Sequence, residues 1–146
     1  MTAGPGTAPD YNEGTMANIP SDLRYTRDHE WAKREGANVR VGITHYAQEQ
    51  LGDVVFVELP KGGAKVTAKQ SFGVVESVKA VSDLFVPVSG EVVEANAELS
   101  KKPEVVNQDP YGRGWMIVIK PANATDWDQL LTAKQYEEFL AQGGGH

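Results

Sequence analysis

The chain has no cysteine, which excludes disulfides, thiolate nucleophiles and cysteine-type zinc sites together. Histidine is scarce. His29, His45 and His146 form neither a His-Glu-x-x-His run nor a compact cluster with Asp or Glu, which argues against a metalloenzyme or histidine-based acid-base chemistry. No apolar run approaches the ~18 residues of a spanning helix, and the N-terminus lacks the basic, apolar, small-residue order of a secretory signal. Neither membrane nor secretion is therefore expected. Basic residues are in deficit too: 14 Lys+Arg against 20 Asp+Glu give a formal net charge of −6, with Lys101-Lys102 as the densest basic pair. Such a chain repels phosphate, so nucleic acid is not an expected partner. Its 146 residues suit one hydrophobic core and not two packed domains.

Residues 1–15 hold no Lys or Arg and almost no core-forming side chains, and they precede a second methionine, Met16. They read as an appended or disordered leader, with the natural start at Met16. A single domain is expected over residues 16–142. The glycine-rich end, residues 143–146, reads as a loose tail.

Between these ends the texture is β-rich. Trp31–Arg34 and Val39–Ile43 flank Gly36-Ala37-Asn38 as a hairpin, and Asp53–Leu59 is a strand ended by Pro60-Lys61-Gly62-Gly63. Phe72–Ser77, Leu84–Val88 and Glu91–Ala95 are further short β-branched runs, the first two joined by a link over Val78–Asp83. Trp115–Ile119 gives a last strand, stopped by Pro121. Many short strands at close spacing predict a mainly β protein, a sandwich or flattened barrel. Helices are few. Thr44 and Gly52 bracket a short one as N-cap and C-terminal stop. Asp126–Leu131 and Thr132–Ala141 are helical pieces at the C-terminus, the second opened by a capping-box spacing at Thr132 and Gln135. Tyr136, Phe139 and Leu140 share a face that should cover an end of the sheet, a role in packing.

The most informative stretch is Phe72 to Val92, where two strands flank a short link with Lys79 at its middle. Its neighbours Val78, Ala80 and Val81 are uncharged, whereas hairpin tips normally collect Gly, Asn, Asp and Pro. One reading is that Lys79 only solvates a strand end. The other is that its amine is acylated by an enzyme that recognises a protruding turn. Acylation removes the charge and creates a long, mostly apolar arm, which uncharged flanks suit. Lys61, Lys101, Lys102 and Lys134 lack this setting, since they lie in an ordinary glycine turn, before Pro103, or in a helix.

Glu76-Ser77-Val78-Lys79-Ala80-Val81-Ser82-Asp83, followed by Pro87-Val88-Ser89-Gly90-Glu91-Val92, resembles the lipoylation segment of glycine cleavage system H proteins. Tyr25–Trp31, Val41–Thr44, Ala47–Pro60 and Asn107–Met116 resemble the same family in order and spacing, so the likeness runs from about Leu23 to Leu140. The resemblance implies a lipoyl-domain-like flattened barrel or sandwich with a few short helices, including a C-terminal one. It implies lipoate in amide linkage on Lys79, an arm on the order of 14 Å from roughly a dozen near-extended bonds. It further implies a monomeric shuttle with no catalysis of its own. The arm would receive the aminomethyl group of glycine from the P protein, yield it to the T protein and be reoxidised by the L protein. A lipoylating enzyme is the remaining implied partner. The bacterial cytoplasm is the expected location, or the mitochondrial matrix for a processed eukaryotic protein.

Three acidic residues follow from the same likeness. Glu30 and Asp83 fall where family cleft residues lie, and a carboxylate in a partly dry cleft would attract a protonated aminomethyl group more than one in bulk water. Glu30 also reads as a strand-edge charge beside a core tryptophan. Glu76 is either recognised by the lipoylating enzyme or keeps its strand soluble. His45-Tyr46 departs from the family, which more often has an acidic residue first and His or an aromatic second; Val81 replaces a more usual Ala or Thr. A biotinyl or acyltransferase-type lipoyl domain would place other residues beside the lysine and leave the Trp31 hairpin and the C-terminal helices unexplained. A lipoyl relay serving other complexes, and an unmodified β-rich interaction module, are the other readings.

Overall fold

A computed structural model describes residues 18–143; the expected leader over 1–15, the start at Met16 and the last tail residues lie outside them. The chain runs β1 (Arg24–Tyr25), β2 (Glu30–Glu35), β3 (Asn38–Ile43), α1 (His45–Leu51), β4 (Val54–Glu58), β5 (Lys65–Val66), β6 (Ser71–Ser77), β7 (Val81–Phe85) and β8 (Gly90–Ala95). It continues through α2 (Glu98–Lys101), α3 (Val105–Gln108), β9 (Ile117–Pro121), α4 (Thr125–Asp128) and α5 (Ala133–Ala141).

Alternation drives the assembly. Val39, Val41 and Ile43 of β3 and Ile117 and Ile119 of β9 turn inward, while Arg40 and Lys120 turn out. The strands form two antiparallel sheets, one of six strands in the order β1-β2-β3-β9-β8-β5 and one of three in the order β4-β6-β7. Val57, Val75 and Leu84 of the small sheet pack with Val41, Val92 and Ile119 of the large one. The mainly β sandwich is thus as expected, and neither sheet closes into a barrel.

The other face of the large sheet carries Trp31, which packs with Leu23, Tyr25 and Tyr136. Here α5 does the covering expected of it. Its N-terminus shows the capping box, with the Thr132 hydroxyl accepting from Gln135 N–H at 3.2 Å and the Gln135 side chain accepting from Thr132 N–H at 2.9 Å. The Tyr136 ring stacks on Tyr25 at 4.7 Å between centroids. The α1 helix is capped as read, Thr44 accepting from Ala47 N–H at 3.1 Å and Gly52 ending the helix at φ +79°.

The elements differ from expectation in three ways. First, β7 spans Val81–Phe85 and not Leu84–Val88, so the link before it shrinks to Val78–Ala80. Val88 is buried but lies outside any strand, beyond the break at Pro87. Second, β9 starts at Ile117 and includes Pro121, which does not stop it. Pairing with β3 ends at Ile119, so the missing N–H of Pro121, opposite Gly90 of β8 at the strand end, costs no ladder bond on that side. Third, the two-residue strands β1 and β5 and the single turns α2 and α3 go beyond expectation, being too short to show a period, and the helical piece expected over Asp126–Leu131 is only the turn α4, because Leu131 bridges to Tyr25 of β1.

Candidate functional site

Lys79 sits exposed at the tip of the β6–β7 hairpin. Among the described residues only His29 and Lys69 are non-glycine residues with positive φ, so this tip avoids the left-handed conformations that would demand Gly or Asn. Ser77 replaces that chemistry. Its backbone N–H donates to the Ala80 carbonyl at 2.8 Å, and its hydroxyl accepts from the N–H groups of Lys79 (3.3 Å) and Ala80 (3.1 Å). Val78 and Val81, each 70% exposed, stand on either side of the lysine. The Lys79 stem rests over Gly52, where a Cβ would meet its Cε at 3.4 Å.

Beside the hairpin, a cleft of about 280 Å³ opens against α1. Its wall combines apolar groups such as Ile43, Leu51 and Leu84 with the polar residues Asp28, His29, Glu30, Tyr46, Ser82 and Asp83. Glu30 and Asp83, distant in sequence, are therefore brought into one cleft next to the lysine turn. Glu76 is not among its lining residues; it lies half-buried on β6 between Phe56 and Val81 of the neighbouring strands.

Glu30 is 1% exposed, so it is no strand-edge charge. Its carboxyl accepts from the Thr26 hydroxyl at 2.6 Å and from Phe85 N–H at 3.2 Å. Burial outweighs these bonds and pushes the carboxyl up to about 8. It also walls a second cavity of about 240 Å³, together with Thr26, Lys69 and Phe85.

Of the departing pair, Tyr46 lines the cleft and stands 4.9 Å from the His29 ring, whereas His45 is engaged by Gln48 at 3.2 Å and Glu49 at 3.7 Å and does not line it. Sequence reasoning missed Ser77 and His29. His29 adopts φ +71°, burial pushes its imidazole below the usual range, and its Nδ1 lies 2.8 Å from the Tyr136 hydroxyl. That hydroxyl also meets Thr44 Oγ1 at 2.9 Å. The C-terminal helix, read as packing alone, thus reaches a residue of the cleft wall through Tyr136.

Among the described residues no group of three or more His, Asp or Glu is placed to hold a metal, and no helix is long and apolar enough to cross a membrane.

The family profile described as glycine cleavage H-protein matches residues 23–143. The chain is 58% identical over 126 residues to the glycine cleavage system H protein of Geobacillus kaustophilus, covering 86% of this chain and 99% of that one. It is 55% identical over 125 residues to the protein of the same name from Bacillus subtilis, covering 86% and 98%. The crystal structure of a glycine cleavage system H protein from Mycobacterium marinum superposes with a TM-score of 0.75 at 46% identity, over 86% of this chain and 99% of that one.

Proposed function

The chain belongs to the glycine cleavage H-protein family, and from that membership together with the lysine turn we propose that Lys79 carries lipoate in amide linkage, making the protein a non-catalytic carrier of the glycine cleavage system. The observation that carries this reading is the tip itself. A lysine held out between two exposed valines, on a turn organised by Ser77, beside a cleft lined by both apolar and polar side chains, suits a tethered acyl arm.

The residues present fit the group. Among the described residues no hydrogen bond or ion pair engages the Lys79 amine, which suits acylation by a donor activated as an acyl adenylate: an amide bond forms, the acyl–phosphate bond breaks, the amine proton is released and the nucleoside monophosphate leaves. Once attached, the group would supply dithiolane redox chemistry, the means by which an aminomethyl group of glycine would pass from the P protein to the T protein with reoxidation through the L protein. The chain's own part is reach and shelter. Ile43, Leu51 and Leu84 offer the arm an apolar wall. Asp83 offers a carboxyl to a cationic cargo, and Glu30, which burial keeps protonated at neutral pH, would give up that proton to hold one, because a cation alongside favours the ionised carboxyl. Burial keeps His29 from adding a competing positive charge there. Glu76, outside the cleft but near the turn, is a contact for the lipoylating enzyme.

The P, T and L proteins and the lipoylating enzyme are the partners, met by a monomer in the bacterial cytoplasm. The relatives named above are bacterial. Reconstitution tests the assignment: the lipoylated chain with P protein should support exchange of the glycine carboxyl with bicarbonate. A lipoylated chain that supports no exchange, but donates its lipoyl group to other complexes, would make it a relay.

A further inference from the structure

The segment from Asn107 to Gly114 matches the family pattern but contributes nothing to the cleft described above. Its contacts lie underneath. Tyr111 meets the start of α1, its hydroxyl accepting from His45 N–H at 3.0 Å. Asn107 meets the other end of α1. There its amide N–H groups donate to the Gly52 carbonyl at 2.8 Å and to the Gln48 side-chain oxygen at 3.0 Å, while its own oxygen accepts from Val54 N–H at 2.8 Å. The orientation of this amide follows from its backbone partners, because a carbonyl only accepts and an N–H only donates.

Asp53 lies between the two backbone groups that Asn107 clamps. Its carbonyl accepts from Val78 N–H at 3.0 Å. Among the described residues this is the backbone hydrogen bond that ties the Val78-Lys79 tip to anything beyond its own hairpin, since Lys79 N–H turns to Ser77. Gly52, one side of the same clamp, is also the surface on which the Lys79 stem rests. One side chain from α3 therefore sets both supports of the lysine turn.

We propose that Asn107 is a positioning residue for the modification of Lys79: by fixing the Gly52–Val54 backbone it holds the lysine turn in the shape that a modifying enzyme reads. This rests on the reading of Lys79 as the lipoylated residue. Asn107 never touches the reacting amine. Asn107→Ala leaves the Gly52 carbonyl and Val54 N–H without their partner, and Asn107→Asp sets a carboxylate against two acceptors while keeping the side chain's shape.

The test compares wild type, Asn107→Ala and Asn107→Asp as apo proteins under a lipoate ligase with lipoate and ATP. Acetylation of Lys79 by a small N-hydroxysuccinimide ester, which does not read turn shape, is the parallel arm. Wild type should be lipoylated, and each folded variant should lose about tenfold or more in kcat/KM. Lys79 acetylation should stay within about twofold, and the Val78 amide should exchange faster with solvent. All rates are taken below each variant's unfolding midpoint, so the near-isosteric Asp variant decides the matter should the Ala variant not fold. Unchanged kcat/KM in a folded variant, or an equal loss in acetylation, overturns the proposal. Wild type that takes up no lipoyl group overturns the reading of Lys79 itself, and the two failures are thereby distinguished.

Discussion

Glu30 is the residue whose surroundings most change its chemistry. Its carboxyl, withdrawn from water, accepts two hydrogen bonds and is pushed from 4.5 up to about 8. The folded chain therefore keeps a proton that the unfolded chain gives up. Its stabilising effect is fully present below about 4.5 and is lost as pH rises to about 8. Wild type should lose stability relative to Glu30→Gln across that window, read as denaturant midpoints at both ends; parallel curves would contradict the burial argument. In the loaded protein a cationic cargo would draw the Glu30 carboxyl into its ionised form, so Glu30→Gln should also shorten the life of the arm-bound cargo in water, and equal rates would remove the holding role. Tyr136→Phe keeps the stack on Tyr25 but leaves His29 and Thr44 without their shared partner, and should cost about 1–3 kcal/mol by chemical unfolding. Lys79 was legible in the sequence because an uncharged tip breaks the usual turn composition. Ser77, His29 and the burial of Glu30 were not, because they depend on which strands close over a side chain and not on its neighbours in the chain.

At the scale of elements, neighbouring strands of a sheet lie at backbone distances that glycine permits. A Cβ on Gly73 of β6 would lie 2.2 Å from the Glu58 carbonyl oxygen, a backbone atom that cannot rotate away. Gly73→Ala should therefore destabilise by at least about 1–3 kcal/mol, measured by heat or urea unfolding. Gly36, in the β2–β3 turn at φ +61°, has nothing within 4 Å of a new Cβ, so Gly36→Ala should cost only the left-handed strain of about 1–2 kcal/mol. The reverse order would mean that backbone crowding does not govern the β4–β6 pair. Strands with clean alternation, such as β3, and helices with strong caps, such as α1 and α5, could be read from the sequence. β7 could not be placed correctly. Val81, Ser82 and Asp83 face the cleft and solvent and mimic a loop, while Val86-Pro87-Val88 mimics a strand that Pro87 forbids.

At the scale of the molecule, absence becomes consistent with function. A chain with no thiol places no protein thiolate near the disulfide of a lipoyl arm, so it avoids thiol exchange with its own cargo carrier. Its charge of −6 should move to about −7 when Lys79 is acylated, an acidic shift visible by isoelectric focusing. The central claim is that one lysine among several carries the arm. Intact-mass measurement of protein made in a host able to lipoylate it, beside Lys79→Arg, tests this most directly. The account predicts a single lipoyl-amide increment in wild type and none in Lys79→Arg; no increment in wild type, or one that survives the substitution, would contradict it.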